Sequence, residues 1–264
     1  MSALLVTLYR YRGFIVGSVK REFQTRYRTS MLGALWLILQ PLAMIVVYTV
    51  IFSEVMRARM PGVQSAFGFS IYLCAGTLTW GLFAEIVSRA QNVFIDNGNL
   101  LKKLSFPRIA LPVIVTVSAM INFAIIFALF AIFLIATGNF PGVTALGLIP
   151  LLLVQIVFSI GLGITLGVLN VFFRDVGQFM GIFMQFWFWF TPIVYPAHIL
   201  PEWAKPFLKL NPMADLIVGY QSIFVNRAWP DWQLVWPVLV VGLLLCTVGL
   251  YLFRRHAAEM VDEL

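Results

Sequence analysis

Six stretches of this chain, at about 31–53, 67–88, 109–137, 147–172, 177–195 and 233–253, stay apolar, and Glu85 is the one charged residue inside them. A helix of about 20 apolar residues crosses a bilayer. The expected fold class is therefore an all-α polytopic membrane protein with six transmembrane helices. The third stretch is long enough to tilt or break, and Pro112 lies near its start. Composition leaves little room for another class. Only 11% of the 264 residues are charged and the mean hydropathy is +0.93, whereas a soluble domain carries about 25% charged residues. Cys74 and Cys246 both fall inside apolar stretches and read as small hydrophobes, with no disulfide or metal spacing. The apolar run at 3–8 is short and precedes Tyr and Arg, which speaks against a cleaved signal peptide.

The segment before the first span is basic and amphipathic. On a helical wheel Ile15, Val16, Val19, Phe23 and Tyr27 share one face, Arg21, Thr25 and Arg28 point away, and Lys20 and Arg26 flank them. Such a helix is expected to lie in the headgroup layer with its apolar side down. With the N-terminus inside, the cytoplasmic cations are Arg10, Arg12, Lys20, Arg21, Arg26, Arg28, Arg89, Lys102, Lys103, Arg108, Arg174, Arg254 and Arg255. Those thirteen stand against five outside, Arg57, Arg59, Lys205, Lys209 and Arg227, and the two sets make up all 18. Both termini are thus expected in the cytoplasm. The same asymmetry accounts for the net charge of +7 without a nucleic-acid partner.

Two loops are too apolar to be plain connections. The internal loop at 91–108 carries Val93, Phe94, Ile95, Leu100, Leu101, Leu104 and Phe106. It is long enough for a short helix, capped by Asp96 or Asn97 and ended by Pro107. It reads either as a solvated basic loop or, preferably, as a surface that docks a protein partner. The external segment at 196–231 is cut by Pro196, Pro201, Pro206 and Pro212 into pieces too short to cross. It retains Leu200, Trp203, Phe207, Leu208, Leu210, Ile217 and Phe224, and is expected to form short helices dipping into the outer leaflet.

Chemistry-bearing motifs are sparse. No G-x-x-x-x-G-K-S/T run exists, so no phosphate-cradling loop is expected in this chain. Gly161, Gly163 and Gly167 miss the dinucleotide spacing. Ser159, Gly163 and Gly167 stand four apart and predict close helix packing. His198 and His256 lie on opposite sides of the membrane and assemble no catalytic or metal set. The chain is therefore read as no enzyme, with no bound metal. Glu85 and Arg89, four apart, read as a pair bonded to neighbouring helices or snorkelling, in preference to an ion relay. The run QFWFWFTPIVYP at 185–196 brings Phe186, Trp187, Phe188, Trp189, Phe190 and Tyr195 together, with Trp36, Tyr48 and Trp80 in other spans. Two readings stand side by side, an interfacial belt and the lining of a channel along which a sugar chain slides on ring faces.

These residues resemble a known family. The basic helix leading into RYRTSMLGALW at 26–36 and ending at Pro41 is similar to the start of bacterial ABC-type polysaccharide export permeases. So are NGNLLKKLSFPR at 97–108, with Pro112 beyond, and Asn211-Pro212 before the last span. The resemblance covers essentially the whole chain and points to the membrane subunits of O-antigen, capsule and teichoic-acid exporters. It implies a single membrane permease domain over 1–264 in the bacterial inner membrane. Residues 1–30 would hold a cytoplasmic interface helix at about 14–29, 31–253 the spans, and 254–264 a cytoplasmic tail. A homodimer would pair with two ATP-binding cassette subunits, with ATP and Mg on those partners and no cofactor on this chain. The loop would be a coupling helix presenting Asn97, Leu100, Leu101, Lys102, Lys103, Phe106 and Pro107. The segment at 196–231 would form gate helices, and the cargo would be a glycan on undecaprenyl pyrophosphate. Lys20, Arg21, Arg26 and Arg28 either attract that pyrophosphate or hold the helix on anionic membrane lipids. Rival readings are a drug or lipid exporter of the same family and an ion-coupled transporter or flippase. A membrane glycosyltransferase is a further rival, with Asp215, Asp231 and His198 as its thin candidates.

Overall fold

The computed structural model describes residue 6 and residues 9–28, 33–55, 67–103 and 108–263, and among these the regular structure is entirely helical. In chain order the helices are α1 Arg12–Arg28, α2 Trp36–Thr49, α3 Gly68–Asp96, α4 Gly98–Lys103, α5 Ala110–Ala136 and α6 Leu148–Phe172. There follow α7 Asp175–Trp189, α8 Lys205–Lys209, α9 Pro212–Asn226, α10 Trp232–His256 and α11 Glu259–Glu263. A π-helical stretch, Val50–Val55, prolongs α2, and a 3-10 segment, Gly142–Gly147, leads into α6.

Among the described residues four helices are long and apolar enough to cross a membrane: α3, α5, α6 with its lead-in, and α10. The stretches at 31–53 and 177–195 form shorter helices. α7 has 15 residues, about 22 Å of rise against a hydrocarbon core of about 30 Å. It stops ahead of Pro192, because a residue preceding proline is pushed out of helical geometry. Thr191 closes the end by donating its hydroxyl to the Trp187 carbonyl at 2.7 Å. The Pro192 carbonyl then accepts from the Tyr72 hydroxyl at 2.8 Å and from Gln221 Nε2 at 3.0 Å, turning the chain back into the bundle.

α3 is the central helix. In its most apolar window 78% of the residues are buried, against 22% in α5 and α10, which keep broad outward faces. Phe83, Ile86 and Val87 of α3 meet Leu151 and Phe158 of α6 and Leu216, Ile217 and Tyr220 of α9 in one cluster. α9, part of the segment expected to dip into the outer leaflet, packs against α3 and α10. Met213, Leu216, Ile217, Tyr220 and Ile223 repeat at helical spacing and are 0–1% exposed, so the helix is seated in protein. Asn211 starts it, its side chain accepting from Met213 N at 3.1 Å, with Pro212 in the first turn.

Helix approach is set by α6. A Cβ on Gly163 would stand 2.6 Å from Ala90 Cβ, and one on Gly167 2.7 Å from the Ala90 carbonyl, so this face rests directly on α3. The other face, at Gly161, rests on α10 with Gly242 O and Cys246 N each 2.8 Å from such a Cβ. Overpacking costs about 1–3 kcal/mol, so Gly161→Val is expected to remove most folded protein in fluorescence-detected gel filtration. Gly81→Ala, where an added Cβ meets nothing within 4 Å, is expected to elute as wild type.

Candidate functional site

One end of the bundle gathers α1, α4 and α11 around the end of α3. α1 does not use its apolar face on lipid as expected. Ile15 and Val19 are buried against Ala110 and Ile114 of α5, with Phe14 and Phe23 packed beside them, and Val16 alone of the described face residues turns outward at 65% exposure. The physical reason is proximity: α5 starts with an equally apolar turn, so α1 has a protein surface to cover. Lys20 and Arg21 are exposed, and Arg21 donates to Ser18 Oγ at 2.9 Å. The side chains of Arg26, Tyr27, Arg28, Lys103 and His198 lie outside the described residues, as do Leu104, Phe106 and Pro107 altogether.

The loop at 91–108 does contain the predicted short helix, α4. Asn97 joins it to α3: its Nδ2 donates to the Val93 carbonyl at 2.8 Å, while its own carbonyl accepts from Leu100 N and Leu101 N at 3.0 Å. Its side chain thus ends α3 and its backbone begins α4. Three of the loop's described apolar residues are satisfied at home, which weakens the reason given for a docked partner. Val93, Phe94 and Leu101 are buried with Leu111, Val115 and Met260 of α11, leaving Leu100 half-buried and Lys102 exposed. The packing of the C-terminal segment here was missed in the sequence. Its signal was Met260 among the charged residues of the tail, and Arg108 fixes the segment by donating to the Ala257 carbonyl. Asn170 adds a tie, Nδ2 donating to the Gln91 carbonyl at 3.0 Å and Oδ1 accepting from Gly177 N at 2.9 Å.

Between α1, α3, α4 and α5 lies a cleft of about 460 Å³ lined by Phe14, Arg21, Asp96, Asn97 and Leu100. Glu22 and Arg89 also line it. Arg89 is ion-paired with Glu22 of α1 and with Glu85 of its own helix, the latter at 3.1 Å, so the pair predicted from spacing is present and has a third member.

The nine aromatics expected along a channel separate into two sets. Trp80, 8% exposed, sits in the core edge-on to Phe83, Trp187 and Phe188. Trp187 also packs on Phe83 at 5.1 Å and donates Nε1 to Asn211 Oδ1 at 2.7 Å. Asn211 gives its amide to Phe190 O at 3.2 Å and Thr191 Oγ1 at 3.0 Å, knitting the end of α7 to the start of α9. Tyr48 is half-buried, and its carbonyl accepts from Ser70 Oγ at 3.2 Å. Trp80, Trp187, Phe188 and Tyr48 thus pack within the chain, and Trp187 also reaches the groove lined by the second set. Phe186, Trp189 and Phe190 instead lie 60–67% exposed. With Tyr195, Trp203 and Phe207 they line an apolar groove of about 880 Å³. Trp36 lines a second groove of about 840 Å³, between α2, α3 and α5, with Gln40, Thr77, Glu85 and Asn122.

Of the thin catalytic candidates, Asp215 and Asp231 are among the described residues. Asp231 caps α10, accepting from Gln233 N at 2.9 Å. Asp215, in the first turn of α9, has its carboxyl pushed up to about 6 by burial and by the Asp231 charge.

A family model described as ABC-2 type transporter matches residues 15–225. The chain is 32% identical over 266 residues, spanning 100% of both sequences, to the O-antigen export system permease protein RfbA of Myxococcus xanthus. It is 29% identical over 242 residues, 91% of each sequence, to the protein of the same name from Klebsiella pneumoniae. With the polysialic acid transport protein KpsM of Escherichia coli it shares 23% identity over 244 residues, 92% of this chain and 93% of that one.

The raised carboxyl of Asp215 fixes a pH dependence. Ionisation costs the folded state more than the unfolded one, so stability is highest below the ordinary carboxylate range. It falls as pH rises through that range toward about 6 and is lowest above it. Asp215→Asn is therefore expected to raise the thermal midpoint in detergent at pH 8 and leave it unchanged at pH 4, as read by differential scanning fluorimetry.

Proposed function

The chain belongs to the ABC-2 type transporter family, and on that premise we propose that it is the membrane-spanning subunit of an ATP-driven exporter of lipid-linked polysaccharide. It is a multi-pass permease of the inner membrane. The cargo class follows the names of the relatives, which export O-antigen and transport polysialic acid. The observation that carries the reading is the end where α1 and α4 flank one cleft, with Arg21 in its lining and Lys20 and Lys102 exposed on the two helices. Two surface helices, each anchored to the bundle by its apolar side, are what a separate motor needs to push on.

In this reading both termini are cytoplasmic, and α2 and α7 are the two short spans that complete six. Two copies of the permease pair with two ATP-binding subunits, which hold ATP and Mg. Asn97, Leu100, Lys102 and Lys103 with Phe106 and Pro107 form the contact with the ATPase, the outer side of α4 carrying it because Leu101 faces inward. Lys20, Arg21, Arg26 and Arg28 receive the pyrophosphate of the undecaprenyl carrier. Closure of the partner displaces α1 and α4 together and opens a path between the permease copies. The exposed rings Trp36, Phe186, Trp189, Phe190 and Tyr195 form its aromatic walls, and α8 and α9 its outer gate. Uncharged ring faces stack on sugar C–H faces without trapping the chain.

Co-expression with its ATP-binding partner subunit is expected to yield a complex whose ATP hydrolysis rises on adding the lipid-linked glycan. Transport that persists without any such subunit would refute the exporter reading, and stimulation by a drug or simple lipid in place of the glycan would refute the cargo. Lys102→Glu is expected to lower the stimulated hydrolysis several-fold, on the order of one rim charge's effect, with unchanged membrane insertion.

A further inference from the structure

Three ionised side chains and two amide or hydroxyl partners close a circuit at the junction of α1, α3 and α5. Arg89 divides its guanidinium between helices, Nη1 donating to Glu85 Oε1 at 3.1 Å and Nη2 to Glu22 of α1. The remaining oxygen of each carboxylate is taken by α5. Ser118 Oγ donates to Glu22 Oε2 at 2.8 Å, and Asn122 Nδ2 donates to Glu85 Oε2 at 2.9 Å. Ser118 and Asn122 stand four apart on one face of α5, as Glu85 and Arg89 do on α3, so two helical repeats are matched across the junction. The charged members are only 19–30% exposed, which limits screening by solvent.

The circuit is also a partition. Glu22 and Arg89 face the cleft beside α4, while Glu85 and Asn122 face the groove that holds Trp36. The apolar hold on α1 is a short seam, with Ile15 and Val19 buried and Phe14 and Phe23 half-buried beside them. Apolar contacts alone would let so short a seam slide or tilt, whereas directional bonds to both α3 and α5 fix its angle. A planar fork that reaches two carboxylates at once is specific to arginine.

We propose that Arg89 is a positioning residue that makes α1 a rigid arm of the membrane bundle, delivering movement of α1 to α3 and α5 instead of letting it dissipate. The meaning of that movement rests on the exporter reading; the mechanical tie does not. Hydrogen exchange followed by mass spectrometry on the assembled transporter in nanodiscs separates the two. Arg89→Gln is expected to speed exchange roughly tenfold across 12–28 while exchange in α6 and α10 stays native. Glycan-stimulated ATP hydrolysis falls with it, by roughly tenfold. The exchanged pair Glu22→Arg with Arg89→Glu re-forms the ion pair between α1 and α3 with its charges reversed and is expected to restore both readouts. The proposal is overturned if Arg89→Gln leaves exchange in 12–28 unchanged, or if the exchanged pair stays loose there with α6 and α10 native. Loosening of 12–28 in a chain that proves to stimulate no ATPase would uphold the tie and refute the exporter reading.

Discussion

Lipid is as apolar as leucine, so burying leucine does not by itself hold two membrane helices together. What remains is shape and polar contact, and α6 supplies both. Its glycines lay it against α3 on one side and α10 on the other at distances no Cβ would allow. Gln155 on the same helix reaches across to donate to the Thr79 carbonyl at 2.7 Å in the buried centre of α3. The remaining helices take their places around that three-helix contact. α9 fills the space between α3 and α10, and α7 leans on the outside with Met180 as its one fully buried residue.

A single polar tie between membrane helices contributes about 0.6 kcal/mol on average, so no one of them holds the molecule. Their placement matters more than their sum. Asn170 ties the turn into α7 to the end of α3, and Asn211 ties the exit of α7 to α9. Arg89 ties α1 to the bundle. Each stands where a helix with little apolar hold of its own meets the bundle. The parts expected to move in an exporter are thereby kept in register at their ends, while their middles stay only lightly packed.

The aromatic residues show how one composition serves two ends. Trp80 and Trp187 have indole bodies that fill the angle between α3 and α7, and the Trp187 N–H is spent on Asn211. Phe186, Trp189 and Phe190, on the same helix, are left outside because a helix of five successive rings has more aromatic surface than its neighbours can cover. The outer rings and the short segment that follows α7 share one apolar groove, which joins the proposed wall and the proposed gate.

Much of this was legible in the sequence for physical reasons. Apolar run length and the spacing of small residues are local quantities. They gave the helical class, the long spans and the face of α6 that carries Gly163 and Gly167. Spacing alone also placed Glu85 beside Arg89. Local runs at 26–36 and 97–108 pointed to the family, and whole-chain likeness to known permeases established it. The sequence did not reveal which neighbour an apolar face would choose. The faces of α1 and α9 read as lipid-seeking and proved to be seated on protein, because lipid and a helix surface offer an apolar side chain nearly the same environment. Nor did it show that Glu22, Ser118 and Asn122 complete the Arg89 circuit, since these residues lie on separate helices and only the packing of α1 and α5 on α3 brings their polar atoms within bonding distance.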